Sequence, residues 1–529
     1  MDCSLRPKGT KIMKYKVFLR DWVLKAVGLT YIALPTVVYA VGMLRPWIGI
    51  PAAVLMLAAL VVSVRTVRKG QGETEEEGLT ISIWMLAVFA CVAVLWCILC
   101  GQGALCIQVW DWFSRNATFR DLITHEWPVI YPSQDGAALS FYFGHWLPAA
   151  VIGRSVMLLT GSLDKAWAIG NACLGLWTAA GVFIVMLLLL RRLRVRSAVV
   201  MLMIVAVLML FWGSGHVGRW FLLWKNGTVH GGPWSVLFQF TPNNQLLAWV
   251  FHQTVVPWVA TLLLLDGERS FPYAAFVVAL VPLCGVFPSV GLAWILAALL
   301  AVAAFKAFSG RMVGSFVRSL ITLPNLVGIL VIAPLVAAFL LTNTAAGEVQ
   351  PAWVGVQPKM YFVHRWLLFV TCEVGFYALL LLRWGRKSVL YWATFSFLLF
   401  CPLLKVGSGC DFCMRSSIPA LFVVMVLVLE YLLHAERRRW PSKALLACLL
   451  LMAAWEVGKG MANTIKATCQ YRAASKPLAY DPLYTYDQDL SKFKWKTPKD
   501  RLIIEFSSNI LCKRPDETFF FKYLARRKD

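Results

Sequence analysis

Long uncharged apolar stretches recur along almost the whole chain, and they limit the fold more than any other feature. The hydrocarbon core of a bilayer is about 30 Å thick, which takes roughly 20 helical residues to cross. Of the 529 residues, 59% are hydrophobic and 15% charged, whereas about a quarter of an ordinary soluble domain is charged. The sequence therefore predicts an all-α integral membrane protein. We expect about 13 transmembrane helices, at 22–43, 47–65, 81–100, 166–190, 198–213, 245–266, 273–290, 291–306, 319–341, 361–382, 388–405, 416–434 and 443–459.

Basic clusters between these runs predict which side of the membrane each loop occupies. With a cytoplasmic N-terminus, five clusters fall inside, as the positive-inside pattern requires: Arg65/Arg68/Lys69, Arg191/Arg192/Arg194/Arg196, Lys306/Arg311/Arg318, Arg383/Arg386/Lys387 and Arg437/Arg438/Arg439/Lys443. This orientation holds only if the stretch 139–160, which contains Pro148 and Arg154, is a juxtamembrane helix that does not cross.

The resulting odd number of crossings divides the chain into two parts. A multi-pass domain covers 1–460, and a small extramembrane C-terminal tail, on the outer side, covers 461–529. Four outer segments are polar or long: 101–165, 214–244, 343–360 and 406–415. The net charge of +24 does not indicate nucleic acid, because the basic residues are scattered between apolar runs.

The first outer loop carries the sharpest candidate for chemistry. Asp111 follows a span directly and lies between Trp110 and Trp112, where a partly desolvated carboxylate could act as a general base. The alternative is that Asp111 caps the next helix and pairs with Arg115 at i+4. Asp121 and His125 are further catalytic candidates, although Asp121 could simply pair with Arg120 or His125. Substrate-binding candidates in this loop are Arg115, Arg120 and Glu126.

Further binding candidates lie in the later outer segments. The second loop offers Arg219 and Lys225, and His252 and Gln253 stand near the start of the following span, where helix–helix hydrogen bonding is the alternative. In the last loop Arg415 opens a helix, a suitable place for a phosphate ligand, with a salt bridge to Asp411 as the alternative.

Two other features of the sequence bear on metal or proton chemistry. The single Cys410-x-x-Cys413 pair has no second pair or His at zinc-site spacing, so we expect a disulfide or two free thiols and no metal site. Glu373 lies in the middle of an expected span, where a carboxylate is either functional or paired.

The order of these features resembles the GT-C superfamily of membrane glycosyltransferases. Over residues 81–266, Asp111 matches the family's acidic position after a span, 139–160 looks like its juxtamembrane helix, and 166–196 looks like the next span with a basic inner turn. The family often has a pair of acids there, whereas Asp111 is followed by Trp112, so a requirement for a divalent metal stays open. Segments 115–122 and 411–419 also resemble uncharacterised bacterial multi-pass membrane proteins.

The resemblance implies transfer of a sugar from a polyprenyl-phosphate carrier to an acceptor at the outer face of a bacterial inner membrane. Asp111 would deprotonate the acceptor, and Asp121 or His125 would orient it. Arg415, with Arg219 or Lys225, would stabilise the departing lipid phosphate. The expected partners are membrane lipid and a lipid-linked sugar, with the oligomeric state open. A transporter or flippase for lipid-linked saccharide and a surface-polysaccharide polymerase or ligase are the alternatives.

Overall fold

The chain is almost entirely helical. The computed structural model describes residues 16–70, 77–227, 234–343, 347–407, 409–480, 484–488 and 509–527. Its α-helices are α1 (Asp21–Met43), α2 (Pro46–Lys69), α3 (Ile83–Leu99), α4 (Trp112–Thr124), α5 (Leu147–Thr160), α6 (Leu163–Arg192), α7 (Ala198–Leu210), α8 (Gly215–Asn226), α9 (Asn243–Val250), α10 (Val255–Leu264), α11 (Ala274–Leu280), α12 (Val286–Ser309), α13 (Val313–Leu320), α14 (Leu323–Val327), α15 (Ala333–Leu340), α16 (Lys359–Val370), α17 (Phe376–Gly385), α18 (Val389–Phe400), α19 (Asp411–Ser416), α20 (Ile418–His434) and α21 (Trp440–Ala473).

The strands are short and lie at the ends of the helices. They are β1 (Lys16–Arg20), β2 (Gly78–Ser82), β3 (Ile130–Tyr131), β4 (Ala137–Leu139), β5 (Val349–Pro351), β6 (Leu404–Val406) and β7 (Leu511–Cys512). All pairings are antiparallel: β1 with β2, β5 with β6, and β4 between β3 and β7.

The centre of the helix bundle is formed by α10 and α20. Every residue of α10 is buried, and Trp258 stacks between Trp96 of α3 and Phe422 of α20 at ring-centroid distances of 6.2 and 5.6 Å. Peripheral helices keep their apolar side chains outward, for example Leu451 and Trp455 of α21. Apolar exposure of this kind is expected of helices that face lipid.

The apolar helices confirm the membrane-protein class but not the count of thirteen. Among the described residues, seven helices are long and apolar enough to cross a membrane, or up to nine if each of two bent helix pairs counts as one span. The seven are Asp21–Met43, Pro46–Lys69, Leu163–Arg192, Val286–Ser309, Leu323–Leu340, Lys359–Gly385 and Trp440–Ala473. Shorter apolar helices of 10–17 residues are Ile83–Leu99, Val389–Leu403 and Ile418–His434.

The expected span 273–290 is not one helix. Its helical part, α11, has only seven residues, and α12 begins afresh at Val286. Pro282 and the extended Gly285 (φ −173°) separate them, since proline cannot donate the next helical hydrogen bond. The stretch 139–160, which is expected to be a juxtamembrane helix, contains the 14-residue α5.

One end of the bundle, here called the loop end, collects the four segments expected outside. Asn343 donates to the main-chain oxygen of Ser140 at 2.7 Å, and Arg415 donates to the hydroxyl of Tyr142 at 2.8 Å. The sulfur of Cys413 contacts the main-chain oxygen of Gln239 at 3.5 Å. These contacts join 101–165, 214–244, 343–360 and 406–415 into one polar layer.

The opposite end, here called the basic end, holds Arg191, which belongs to one of the basic clusters expected on the cytoplasmic side. Asp21, Lys25, Arg191 and Asp266 form a buried ion-pair network, in which Arg191 contacts Asp266 at 3.0 Å. Three helices contribute to this network, α1 with Asp21 and Lys25, α6 with Arg191 and the end of α10 with Asp266, so it fixes the positions of their ends relative to one another. A charge removed from its partners here would remain buried and unpaired, which typically costs 3–5 kcal/mol.

The described parts of the C-terminal tail return to the loop end. The helix α21 continues past residue 460 to Ala473, and β7 then pairs with β4. Near the C-terminus, Arg45 donates its main-chain N–H to Leu524, and Phe520 is fully buried against Tyr39 and Phe339. These parts of the tail are therefore integrated into the molecule.

Candidate functional site

A polar cluster lies where the first loop, the α9–α10 connection and the last loop meet. Trp112 holds the start of α4 there, because its indole N–H donates to Ala248 of α9 at 3.0 Å and its ring stacks on Phe251 at 5.2 Å. The cluster is made of seven residues from three parts of the chain. They are Asp111, Arg115, Tyr142, His252, Gln253, Asp411 and Arg415.

Asp111 stands at the first position before α4 but does not cap that helix through its side chain. Its carboxylate lies 3.6 Å from Nη1 of Arg115, a loose ion pair one helical turn away. The Asp111 side chain keeps 24% of its surface exposed, whereas Arg115 is only 8% exposed. A carboxylate that is reachable from solvent and held by a buried cation fits the position of a general base.

Arg415 belongs to the six-residue helix α19 and reaches across to the first loop. One terminal nitrogen donates to Tyr142 at 2.8 Å, and the other contacts Asp411 at 3.0 Å. The expected salt bridge to Asp411 is thus present, but it uses only part of the guanidinium. Asp111 and Arg115 also interact electrostatically with Arg415.

The two guanidinium groups are therefore held close together in a poorly solvated place. Burial lowers the pKa of Arg115; the Asp111 carboxylate opposes that shift, and the positive charge of Arg415 adds to it. The Nε atoms of both arginines are buried and have no hydrogen-bond partner among the described residues. Unmet donors on paired cations favour an anionic ligand, and planar guanidinium groups match phosphate geometry.

Tyr142 connects the members of the cluster, and the sequence did not single it out. Its hydroxyl accepts from Arg415 and is hydrogen bonded to Gln253. Burial raises the pKa of Tyr142, so the hydroxyl keeps its proton at neutral pH. The available signal was that Tyr142 is the one hydroxyl in the aromatic run 141–143.

His252 and Gln253 lie at the break between α9 and α10 and form one side of the cluster. The His252 ring stacks between Trp146 (4.5 Å) and Tyr142 (5.8 Å), and its Nε2 lies 3.1 Å from the Gln253 amide nitrogen. The Gln253 oxygen, the Trp146 indole nitrogen and His252 Nδ1 are buried without partners among the described residues. Buried polar atoms are normally paired with protein or with ordered water, so these three atoms are available to bind water or a polar ligand.

The other candidates in the first loop lie apart from this cluster and hold the tail. Asp121 is fully buried, pairs with Arg120 at 2.9 Å and accepts the main-chain N–H of Tyr486 at 3.0 Å. His125 lies between Asp121 (4.0 Å) and Asp487 (3.4 Å). Glu126 follows it and interacts electrostatically with Arg154. Burial raises the pKa of Asp121, and its hydrogen bonds oppose that shift.

Arg219 and Lys225 lie on α8, and the structure does not bring them to the cluster. Arg219 interacts electrostatically with Glu456 of α21, whose carboxylate also accepts from the Trp220 indole at 3.2 Å. Lys225 is exposed near the end of α8. In the described part of the chain, neither side chain forms an ion pair or a hydrogen bond with a residue of the cluster.

Possible metal-ligating side chains do not cluster in the part of the chain that the structure describes. Among the residues that it describes, no group of three or more His, Cys, Asp or Glu side chains could hold a metal ion. Cys410 and Cys413 are free thiols, and burial raises the pKa of Cys410 to about 12.

A separate buried acid, Glu373, lies in the long helix Lys359–Gly385. Its side chain is 1% exposed, and one carboxyl oxygen accepts from the Trp234 indole at 2.6 Å. Burying an ionised carboxylate costs several kcal/mol after relaxation. A hydrogen bond to a charged group contributes about 1.5–3 kcal/mol and a helix N-terminus about 0.3–1 kcal/mol. Among the described residues, Glu373 has one hydrogen bond and no ion pair to offset the cost of its burial.

Comparison with known proteins gives no family. No family model, no curated protein and no solved structure matches this chain. The likeness to GT-C glycosyltransferases stays a prediction, and the functional argument depends on the fold and the polar cluster.

Proposed function

We propose that the chain is a membrane glycosyltransferase that moves a sugar from a polyprenyl-phosphate carrier to an acceptor hydroxyl. The observation that carries this proposal is the partly exposed Asp111 beside the buried Arg115 and the largely buried Arg415, whose Nε donors have no partner among the described residues. A base next to a phosphate-binding pair of cations is what glycosyl transfer from a lipid phosphate requires.

In this mechanism Asp111 takes the proton of the acceptor hydroxyl. The acceptor oxygen bonds to the anomeric carbon of the sugar, and the bond from that carbon to the phosphate oxygen breaks. The bonding electrons leave with the lipid phosphate, whose charge Arg115 and Arg415 neutralise. Tyr142 and Asp411 hold Arg415 in place through contacts of 2.8 and 3.0 Å.

We also propose an orientation in which the basic end is cytoplasmic and the loop end faces outward across a bacterial inner membrane. The arginines of the basic end support it by the positive-inside rule. The two bent pairs and three shorter apolar helices bring the seven long helices to twelve crossings. The segment holding α11 would be the thirteenth, because Arg269 contacts Glu77 at the basic end and Leu283 accepts from Gly144 at the loop end.

The test compares Asp111→Asn with Asp135→Asn in the full chain in lipid nanodiscs. Asp135 is an exposed turn residue at the same end, so it is a matched control. Release of polyprenyl phosphate from a panel of polyprenyl-phosphate sugars should fall about 100- to 10,000-fold in Asp111→Asn only. Full activity of Asp111→Asn would overturn the proposal.

A transporter or flippase for lipid-linked saccharide is the second candidate. It is favoured by the bent pairs Ala198–Leu210 with Gly215–Lys225 (53°) and Asn243–Gln253 with Val255–Leu264 (95°). Discontinuous helices of this kind commonly form transporter sites. A transporter would move the lipid-linked sugar across the bilayer intact, whereas a transferase, polymerase or ligase would consume it.

A further inference from the structure

An acidic side chain faces the break between α7 and α8. The helix Lys359–Gly385 contains a π-helical turn, Thr371–Gly375, and Glu373 is its central residue. Single π-turns inside α-helices are rare and frequently occur at functional sites. The opposite helix pair is bent by 53° around residues 211–214. Two irregular stretches of backbone therefore meet at Glu373.

The contacts between them are close and specific. The main-chain N–H and the hydroxyl of Ser214 both donate to the main-chain oxygen of Glu373, at 2.6 and 3.0 Å. A Cβ atom on Gly213 would lie 2.6 Å from that oxygen, and one on Gly215 would lie 2.7 Å from the Glu373 carboxyl carbon. The carboxyl group thus occupies a cradle that only glycines leave open.

No cation neutralises this carboxyl group in the part of the chain that the structure describes. One oxygen accepts from Trp234, and the other is buried without a hydrogen-bond partner. The titratable side chains that face it carry no positive charge: Cys372, Tyr377 and Cys413. The basic groups of α8 that lie nearest in sequence, His216 and Arg219, interact with Glu456 of α21 instead.

We propose that Glu373 is a proton-binding site whose protonation holds the α7–α8 break closed. The protonated carboxyl is neutral and fits the cradle described above. Loss of the proton would leave an unpaired anion in a poorly solvated place, and such a charge is relieved by letting water in. The residues that would move are Gly213 to Gly215 and Trp234. This site is independent of the proposed glycosyl transfer.

The proton itself can be measured in two ways on the full chain in nanodiscs. The infrared carbonyl band of a protonated carboxyl group should be present in the wild type and lost in Glu373→Gln. Dicyclohexylcarbodiimide, an apolar reagent that adds to protonated carboxyl groups, should modify Glu373 in acidic buffer and much less in alkaline buffer. Glu430 and Glu456 are internal controls, because they pair with Arg192 and Lys459 at 2.8 Å.

The coupling between the Glu373 proton and the α7–α8 break is tested by hydrogen exchange of the peptides that cover residues 211–227. After correction for intrinsic exchange, the wild type should exchange faster in alkaline buffer, whereas Glu373→Gln should exchange at one slow rate throughout. The glutamine side chain keeps an oxygen that can accept from Trp234, and it has about the same size as the glutamic acid side chain. An infrared band that persists in Glu373→Gln would overturn the proton site. Equal pH dependence in both proteins would overturn the coupling to the break.

Discussion

At the scale of single residues, the two arginines of the cluster are the features most in need of a ligand. Arg115 and Arg415 carry like charges within electrostatic reach of each other, and two carboxylates, Asp111 and Asp411, are their only acidic partners among the described residues. The Arg115–Asp111 pair is loose at 3.6 Å, and the 3.0 Å Arg415–Asp411 pair uses only one terminal nitrogen of Arg415, with the Asp411 side chain 47% exposed. A bound phosphate would supply the missing acceptors.

For phosphate binding, the planar geometry of the Arg415 guanidinium group should matter more than its charge. We predict that Arg415→Lys weakens binding of polyprenyl phosphate about 30-fold, because a lysine cannot contact Tyr142, Asp411 and a phosphate together. Arg514→Lys is the matched control, since Arg514 is 75% exposed at the loop end. Isothermal titration in nanodiscs gives both affinities, and equal affinities would refute a phosphate role for Arg415.

Tyr142 should contribute to stability as well as to the site. Tyr142→Phe removes the oxygen that accepts from Arg415, so a largely buried charged donor loses one of its two partners. We expect a loss of about 1–3 kcal/mol in the free energy of unfolding and lower transferase activity. Tyr361→Phe, at an exposed tyrosine of α16, should change stability by less than about 0.5 kcal/mol. Thermal unfolding of both variants provides the comparison.

At the scale of elements, α4 is held by the C-terminal tail along its whole length. Gln108 accepts from the main chain of Tyr480 at 3.2 Å, and Asn116 donates to the Tyr480 oxygen at 3.1 Å. Further along, the Tyr484 ring packs on Phe113 at 4.3 Å, and the Tyr486 hydroxyl donates to Ser114 at 2.8 Å. Because α4 also carries Arg115, the tail positions the candidate site.

Removing one of these bonds should loosen α4 without unfolding the bundle. We predict that Tyr486→Phe costs about 1 kcal/mol locally and speeds hydrogen exchange of residues 112–124 about fivefold. Tyr523→Phe, an exposed tyrosine in the same tail, should leave that exchange unchanged. Unchanged exchange in Tyr486→Phe would mean that the tail merely covers α4.

The sequence predicted the cluster only in part, for a physical reason. A charge beside an apolar run is unusual, so the sequence singles out Asp111, Arg115 and Arg415. It also singles out His252 and Gln253, because these two polar residues interrupt an apolar run. Tyr142 looked like one more interfacial aromatic ring. Asp121 and His125 looked reactive, yet their partners, Tyr486 and Asp487, come from a tail more than 350 residues away. No local pattern encodes such a contact.

At the scale of the whole molecule, the two ends differ in chemistry, and that difference predicts the orientation. At the basic end Arg191 and Arg192 pair with Asp266 and Glu430, whereas the loop end combines its own arginine–carboxylate pairs with aromatic rings and amides in the polar cluster. Long helices were predictable because their apolar length is set by the bilayer. The short α11 was not predictable, because a helix surrounded by protein does not have to be as long as the bilayer is thick.

Cysteine labelling of intact cells tests this orientation. Asp135→Cys lies at the loop end and Arg386→Cys follows α17 at the basic end, and both positions are exposed. A membrane-impermeant maleimide should label Asp135→Cys on intact cells and Arg386→Cys only after permeabilisation. The unmodified chain, with its native cysteines, gives the background. If Arg386→Cys were labelled on intact cells and Asp135→Cys were not, the cluster would face the cytoplasm. Asp111 would then have to act on a cytoplasmic acceptor, and the proposed transfer at the outer face would fail.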